Sequence, residues 1–252
     1  MYKTSDIAKK ANIHPNTVRF YEQVGLISQP ERLENGYRQF TYKHLYQVMI
    51  LRCIYLDDWP GANIRKASIK IVNAMKVWDL KAARKYTKEY IKVIKQEYGK
   101  AKEAIRILRH WSENDITQES QETYNRAETA TIIGVTPEAL RNWERNHLID
   151  IPRTGKNKTR IYSKKEIDRL RIIYMLRQAR YSMSAIHNCL SKIDKGDIHE
   201  ALNSLYYPDE QKVVWTGDHW LYVLEKTQEK AKQILKILDE IEEVERSTEE
   251  KH

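Results

Sequence analysis

At 252 residues the chain has room for two modest domains, and its net charge of +9 favours polyanionic partners without naming one. No run approaches the roughly eighteen apolar residues of a membrane span, and MYKTSDIAKK lacks the apolar stretch of a secretory signal, so a cytoplasmic protein with no membrane partner is expected. Cys53 and Cys189 form no CxxC and no cluster with histidine, which suits ordinary buried thiols in a reducing cytoplasm, and scarce Gly and Pro with 31% charged residues suit a mainly α protein.

The chain opens with Ile7, Ala8 and Ala11 at helical spacing, a short helix that Thr4 can cap. Asn12-Ile13-His14 breaks the pattern, and Pro15 fits the first position of a second helix, where its missing N–H costs nothing. That helix runs to about Gln23 and Gly25 stops it. Two short helices joined by a short turn make a helix-turn-helix, whose second helix can enter the major groove of DNA. A stretch rich in turn formers follows, with Asn35-Gly36 as the hairpin signal, and predicts a two-stranded wing ending near Thr41. A helix from Lys43 to Leu56 comes next.

Further on, Leu80, Arg84, Thr87, Ile91, Ile94, Tyr98, Ala101, Ile105 and Leu108 alternate by four and three, a heptad seam with two polar intruders near its start. A helix of roughly thirty residues would be about 45 Å long. The polar segment 112–123 reads as a linker.

The text then repeats. Residues 2–64 lie over 124–186 at a constant offset of about 122 positions, without a gap. Matched pairs include Ala8/Ala130, Pro15/Pro137, Arg19/Arg141, Glu22/Glu144, Leu26/Leu148, Pro30/Pro152 and Arg38/Arg160, with Val18/Leu140, Phe40/Tyr162 and Val48/Leu170 among the apolar partners. The second copy therefore predicts helices at Glu128–Ile133, from Pro137 to near Asn146 and at Lys164–Gln178, with a basic wing around Lys156 and Lys158. An aromatic insert with Tyr206, Tyr207 and Trp215 precedes a second seam of Trp220, Leu224, Thr227, Ala231, Ile234, Leu238 and Ile241.

These elements divide the chain into a first winged domain (1–77), a first long helix (78–111), the linker (112–123), a second winged domain (124–205), the insert (206–219), a second long helix (220–247) and a tail. The expected fold class is mainly α: two winged helix-turn-helix domains with small β-wings, joined by two long helices in an antiparallel coiled coil. Twelve linker residues span up to about 40 Å, and tethering raises the effective concentration of the second helix to roughly millimolar. A monomeric single-chain pseudo-dimer is expected; the same seams would also serve a swapped homodimer.

TSDIAKKANIHPNTVRFYEQVGLI, continued by ENGYRQFTYKHLYQVMILRCI, resembles the winged helix-turn-helix of the MerR family of bacterial transcription regulators over most of residues 1–70. The second copy resembles a more divergent member, with Asn142-Trp143 for Phe20-Tyr21 and Lys158-Thr159 for Gly36-Tyr37. The resemblance implies a transcriptional regulator that pairs its long helices antiparallel, distorts double-stranded promoter DNA and works with RNA polymerase at the nucleoid.

DNA-facing candidates are Asn16, Thr17, Arg19, Phe20 and Tyr21 on the first recognition helix and Tyr37 and Arg38 on its wing. Their counterparts are Glu138, Arg141, Asn142, Trp143, Lys156, Lys158 and Arg160. Arg19 is the best base reader, since a guanidinium pairs bidentately with guanine, whereas Tyr37 and Arg38 suit phosphate. Tyr21 and Trp143 can equally be core aromatics. Glu138 either accepts from a cytosine amino group or favours the positive helix N-terminus. Unlike recognition helices predict unlike half-sites. Tyr206, Tyr207, Trp215 and Trp220 either wall a pocket for an aromatic or cationic effector or pack the junction. No cofactor is expected, and no Gly-rich phosphate loop, HExxH or GxSxG string suggests an enzyme. The competing reading is an architectural or anchoring protein with MerR-like heads and no effector response.

Overall fold

The computed structural model describes residues 1–55, 61–113, 122–151, 153–154, 159–197, 200–201 and 216–249. In chain order the elements are α1 (Thr4–Ala11), α2 (Pro15–Gln23), β1 (Glu31–Arg32), β2 (Arg38–Gln39), α3 (Tyr42–Tyr55), α4 (Ala62–Lys76) and α5 (Leu80–Glu113). Then come β3 (Thr123–Tyr124), α6 (Arg126–Ile133), α7 (Pro137–Arg145), β4 (Arg153–Thr154), β5 (Thr159–Arg160), β6 (Tyr162–Ser163), α8 (Lys164–Gln178), α9 (Met183–Asp194) and α10 (Thr216–Glu249). The fold is mainly helical with small antiparallel hairpins, as the sequence predicts. The chain divides into two compact units, residues 1–96 with 223–252, and residues 97–222.

Within unit 1, α1 and α2 bury Ile7, Ala8, Ala11 and Val18 against Phe40 and the α3 residues Val48 and Leu51. Unit 2 repeats this core with Ala130, Ile133, Leu140, Tyr162, Leu170 and Ile173. Small features repeat too. Tyr2 and Phe40 exchange two backbone bonds of 2.7 and 2.9 Å, and their counterparts Tyr124 and Tyr162 pair in β3–β6. The left-handed residues ending the helices keep their places although the residues change: Asn12 (φ 51) and Gly134 (φ 80), Gly25 (φ 71) and His147 (φ 53). In α3 the His44 Nδ1 accepts from the Thr41 N–H at 3.0 Å. In α8 Glu166, at the same place, accepts from the Ser163 N–H at 2.8 Å and closes a capping box.

The repeat also reaches further than the matched sequence. Gln47 on α3 accepts from the Ser28 N–H at 3.0 Å and donates to the Met75 carbonyl at 2.9 Å, tying the turn after α2 to the end of α4. Its counterpart Arg169 donates to the Leu148 carbonyl at 3.0 Å and grips Asp194 on α9 through both terminal nitrogens. An amide and a guanidinium solve one bracing problem with different chemistry.

The wings differ by one residue. β1 pairs Arg32 with Arg38, whereas β4 pairs Thr154 with Thr159, so the second hairpin has one residue fewer between its strands. In the first wing Gly36, at φ 78, closes a loop in which the Leu33 N–H reaches the Tyr37 carbonyl at 2.9 Å. Asn35-Gly36 thus marks the hairpin, through a three-residue loop with glycine in the left-handed position.

Each unit contains part of a long helix. In unit 1 the Arg84 Nη2 meets Asp239 at 2.7 Å and Glu242 at 2.9 Å, and the Trp78 Nε1–H donates to Glu245 at 2.7 Å. Rising numbers on one strand meet falling numbers on the other, so these segments of α5 and α10 run antiparallel. Trp78 has φ 59, unusual for a bulky residue, and three neighbours fix it: Glu245, the Tyr42 ring edge-on at 5.9 Å and the Lys43 ammonium 5.1 Å above its ring. In unit 2 the Tyr174 hydroxyl donates to buried Glu97 on α5 at 2.7–2.8 Å, and Lys100 stands 4.5 Å over the same ring.

The buried stripe of α5 departs from the expected seam. Thr87, Ile94, Ala101 and Leu108 are buried as predicted, but their partners are Ala83, Tyr90, Glu97 and Ala104. Arg84, Ile91, Tyr98 and Ile105 are only half-buried. The helix also faces α3 in unit 1 and α8 in unit 2, which turns its apolar stripe toward the winged domains. On α10 the predicted seam holds except at Thr227, which is half-buried.

One flaw in the second core is instructive. Thr129 occupies the place of Ile7, is fully buried, and its Oγ1 has no hydrogen-bond partner. A buried unpaired hydroxyl costs about 1–3 kcal/mol. Thr129→Val should therefore raise the unfolding free energy by about 1 kcal/mol, read by denaturant titration.

Candidate nucleic-acid interface

In unit 1 α2 presents Asn16, Arg19 and Phe20 to solvent, with Thr17 half-buried. The His14 Nδ1 accepts from the Asn16 N–H at 3.1 Å and caps the helix. The Asn16 Oδ1 accepts from Arg19 at 2.8 Å, which holds the guanidinium beside the helix start. A groove of about 1030 Å³ lies between α1, α2 and the first wing, lined by Lys3, Pro15, Arg19, Asn35, Tyr37 and Arg38 among others. It brings three candidates together: Arg19 from the helix, and Tyr37 and Arg38 from the wing. Tyr37 is 73% exposed and Phe20 55%.

The wing arginine is held from below. Glu22 is 4% exposed, and its carboxylate accepts from the Arg38 Nε and lies 3.5 Å from Arg32. In unit 2 Glu144, half-buried with its side chain 8% exposed, accepts from Arg126 at 3.0 and 3.1 Å and from the Tyr162 hydroxyl at 2.5 Å, and pairs with Arg160 at 3.2 Å. Where the second wing carries Thr154 instead of an equivalent of Arg32, Arg126 from the start of α6 supplies the second cation. Burial and this carboxylate both push the Tyr162 hydroxyl's pKa up. A carboxylate taken from water requires such partners. The sequence shows Glu22/Glu144 and Arg38/Arg160 as matched pairs, and the structure shows that they are matched to each other.

Of the two readings open for Tyr21 and Trp143, burial favours the core. Tyr21 and Trp143 are each 5% exposed and belong to the core. Each lies three residues beyond a buried aliphatic, Val18 or Leu140, and so shares its inward helix face.

On α7, Glu138, Arg141 and Asn142 are exposed. Glu138 is bound to its own helix: it accepts from Arg141 at 2.8 Å and from Arg145 at 2.6 Å. The Arg141 hydrogen bond leads in holding its carboxyl below the usual carboxylate range. The Thr136 hydroxyl caps this helix by accepting from the Ala139 N–H at 3.2 Å. Arg160 is half-buried. Lys156 and Lys158 lie outside the described residues, as do Tyr206, Tyr207 and Trp215 of the expected effector pocket. Trp220 is 5% exposed within α10. Among the described residues no group of His, Cys, Asp and Glu could hold a metal ion, and no helix is long and apolar enough to cross a membrane.

Two family descriptions match the chain in the places that carry these sites. Residues 3–40 match "MerR family regulatory protein" and residues 124–193 match "MerR HTH family regulatory protein". The chain thus carries two tandem MerR-type domains. Similar proteins include the HTH-type transcriptional regulator CueR of Salmonella typhi, 50% identical over 48 residues, which are 19% of this chain and 35% of that protein. CueR of Yersinia pestis is 44% identical over 48 residues, 19% of this chain and 34% of the relative. The mercuric resistance operon regulatory protein of Bacillus cereus is 40% identical over 40 residues, 16% and 30% of the two chains. The chain thus spans about a third of the length of the relatives it matches. No solved structure matches it.

Sequence reasoning named the arginines and missed what fixes them: Glu22 with Arg32, and Glu144 with Arg126 and Tyr162. The available signal was the retention of an acidic residue at a place facing the predicted core in both copies. Glu144→Ala should lower the unfolding free energy by about 3 kcal/mol, because it strands the buried Tyr162 hydroxyl and two guanidinium groups; denaturant melts of the full chain read this.

Proposed function

We propose that this chain is a DNA-binding transcription regulator that acts as a single-chain pseudo-dimer on an asymmetric operator. One observation carries the reading. In both MerR-type domains a glutamate on the recognition helix, its side chain 6–8% exposed, fastens a wing arginine, so helix and wing are set as one piece. In the first domain that piece also walls the groove containing Arg19 and Tyr37. Fixed cations of this kind position a protein on phosphates, and exposed recognition-helix side chains then read base edges.

The two helices offer unlike chemistry: Asn16, Arg19 and Phe20 against Glu138, Arg141 and Asn142. Distortion of promoter DNA, cooperation with RNA polymerase and a place at the nucleoid extend the same proposal by resemblance. An effector, if the aromatic residues around Trp220 serve one, would act where α10 begins. The antiparallel ion pairs of Arg84 with Asp239 and Glu242 support pairing of the long helices within one chain.

Three outcomes test this. Selection from random duplexes followed by footprinting should return a site with two unlike halves, and log K should fall with log salt at a slope near −7 if about eight phosphates are neutralised; a perfect palindrome, or uniform coating of any duplex, counts against the reading. Sedimentation at low micromolar concentration should give the chain mass of 30.0 kDa, and a species of twice that mass would overturn the pseudo-dimer. Glu138→Ala should release Arg141 and Arg145, raising affinity for unrelated duplex several-fold and steepening the salt slope by about one.

A further inference from the structure

The two recognition helices carry the same clasp made from different groups. Asn16 and Glu138 hold one repeat position, directly after the proline that opens each helix, and both are exposed. In unit 1 the Asn16 Oδ1 accepts from the Arg19 Nη1 at 2.8 Å. In unit 2 the Glu138 Oε2 accepts from the Arg141 Nη1, also at 2.8 Å. A spacing of three residues puts both members of each pair on one helix face. Glu138 does more: its other oxygen accepts from Arg145 at 2.6 Å, where unit 1 has exposed Gln23.

The charge on the two faces is equal and its availability is not. Asn16, Arg19 and Gln23 carry one positive charge between them, and so do Glu138, Arg141 and Arg145. Asn16 is neutral and offers both a carbonyl and an amino group, so it can orient Arg19 and still meet the base edge beside it. Glu138 only accepts. Holding Arg141, it is neutralised. Once Arg141 turns to a guanine, the carboxylate faces a groove lined with acceptors and phosphates. The side chains of Glu138, Arg141 and Arg145 are 61, 55 and 68% exposed, and pairs so exposed are weak enough to open when a better partner arrives.

We propose that Glu138 sets the sequence selectivity of the second domain: it releases Arg141 to a guanine only where the adjoining base pair offers Glu138 a cytosine amino group. This rests on the reading of the chain as an operator binder. Guanine O6 and N7 take a guanidinium, and the cytosine N4 amino group is the donor a carboxylate accepts from in the major groove. Adenine serves less well, because its amino group stands beside the N7 acceptor. Where the donor is missing, Glu138 keeps Arg141 for itself or stands unpaired among acceptors, and the second domain lets go. Asn16 imposes no such condition, so the matching position of the first half-site is tolerant. Glu138 therefore acts chiefly by rejecting wrong duplexes, which an attractive contact alone does not do.

The test measures binding of the full chain, at fixed salt, to its selected duplex and to versions with each base pair of each half changed in turn. In the second half one cytosine beside a guanine should matter, its replacement costing about tenfold or more, while the matching change in the first half stays within about threefold. Glu138→Asn should erase that preference because the changed duplexes bind more tightly, with the selected duplex little affected and the guanine still required. Asn16→Glu should impose the cytosine condition on the first half. A Glu138→Asn protein that keeps the cytosine preference, or that loses affinity for every duplex by one factor, would overturn the proposal, since Glu138 would then only support its own helix. A wild type with no base preference in either half would instead remove the operator reading beneath it.

Discussion

A carboxylate buried beneath a wing is the constraint that organises both halves of this chain. Glu22 and Glu144 sit on the inner side of their recognition helices, out of water, and can remain there as anions only with cations brought to them. Arg38 and Arg160 answer from the wings. The pairing fixes the angle between helix and wing, which short two-residue strands could not do alone. The second cation is interchangeable, since Arg32 on a strand and Arg126 on a helix end perform the same task. Position along the chain matters less than delivery of charge to that point.

The long helices follow a second constraint. A helix that packs only against its twin needs a two-position seam. These helices must also cover a winged domain, so α5 turns Ala83, Tyr90, Glu97 and Ala104 inward beside the expected Thr87, Ile94, Ala101 and Leu108. The polar members of that stripe are satisfied locally: the Thr87 hydroxyl donates to the Ala83 carbonyl at 2.8 Å, and Glu97 accepts from Tyr174.

Much of this was legible beforehand because the chain states its plan twice. Pro15 and Pro137 begin their helices where the grammar of helix starts puts them, and the apolar pairs of the repeat are the two cores. Asn35-Gly36 located the first wing. The one-residue difference between the wings was not legible, because an alignment without gaps hides a change in loop length that the strands absorb. Tyr21 and Trp143 were ambiguous because a nine-residue helix offers too few turns to separate inward from outward aromatics by periodicity. The turn of the α5 stripe was invisible for another reason: its cause lies in α3 and α8, far away in the sequence. The arginines were chosen for the chemistry they could offer DNA, and nothing in the spacing revealed that Arg38 and Arg160 also neutralise a carboxylate inside their own domain.

The interleaving of the two units bears on how the molecule is made. Unit 1 is completed by residues 223–252, so the face of the first winged domain that meets α10 stays uncovered until those residues leave the ribosome. At about 5–20 residues per second that wait is roughly ten to thirty seconds. During it the face of α1 and α3 around Ala11, Met49 and Cys53 is available to any other nascent copy. Order of synthesis therefore sets a window in which exchange between chains competes with self-closure, and a slower ribosome would favour the exchange.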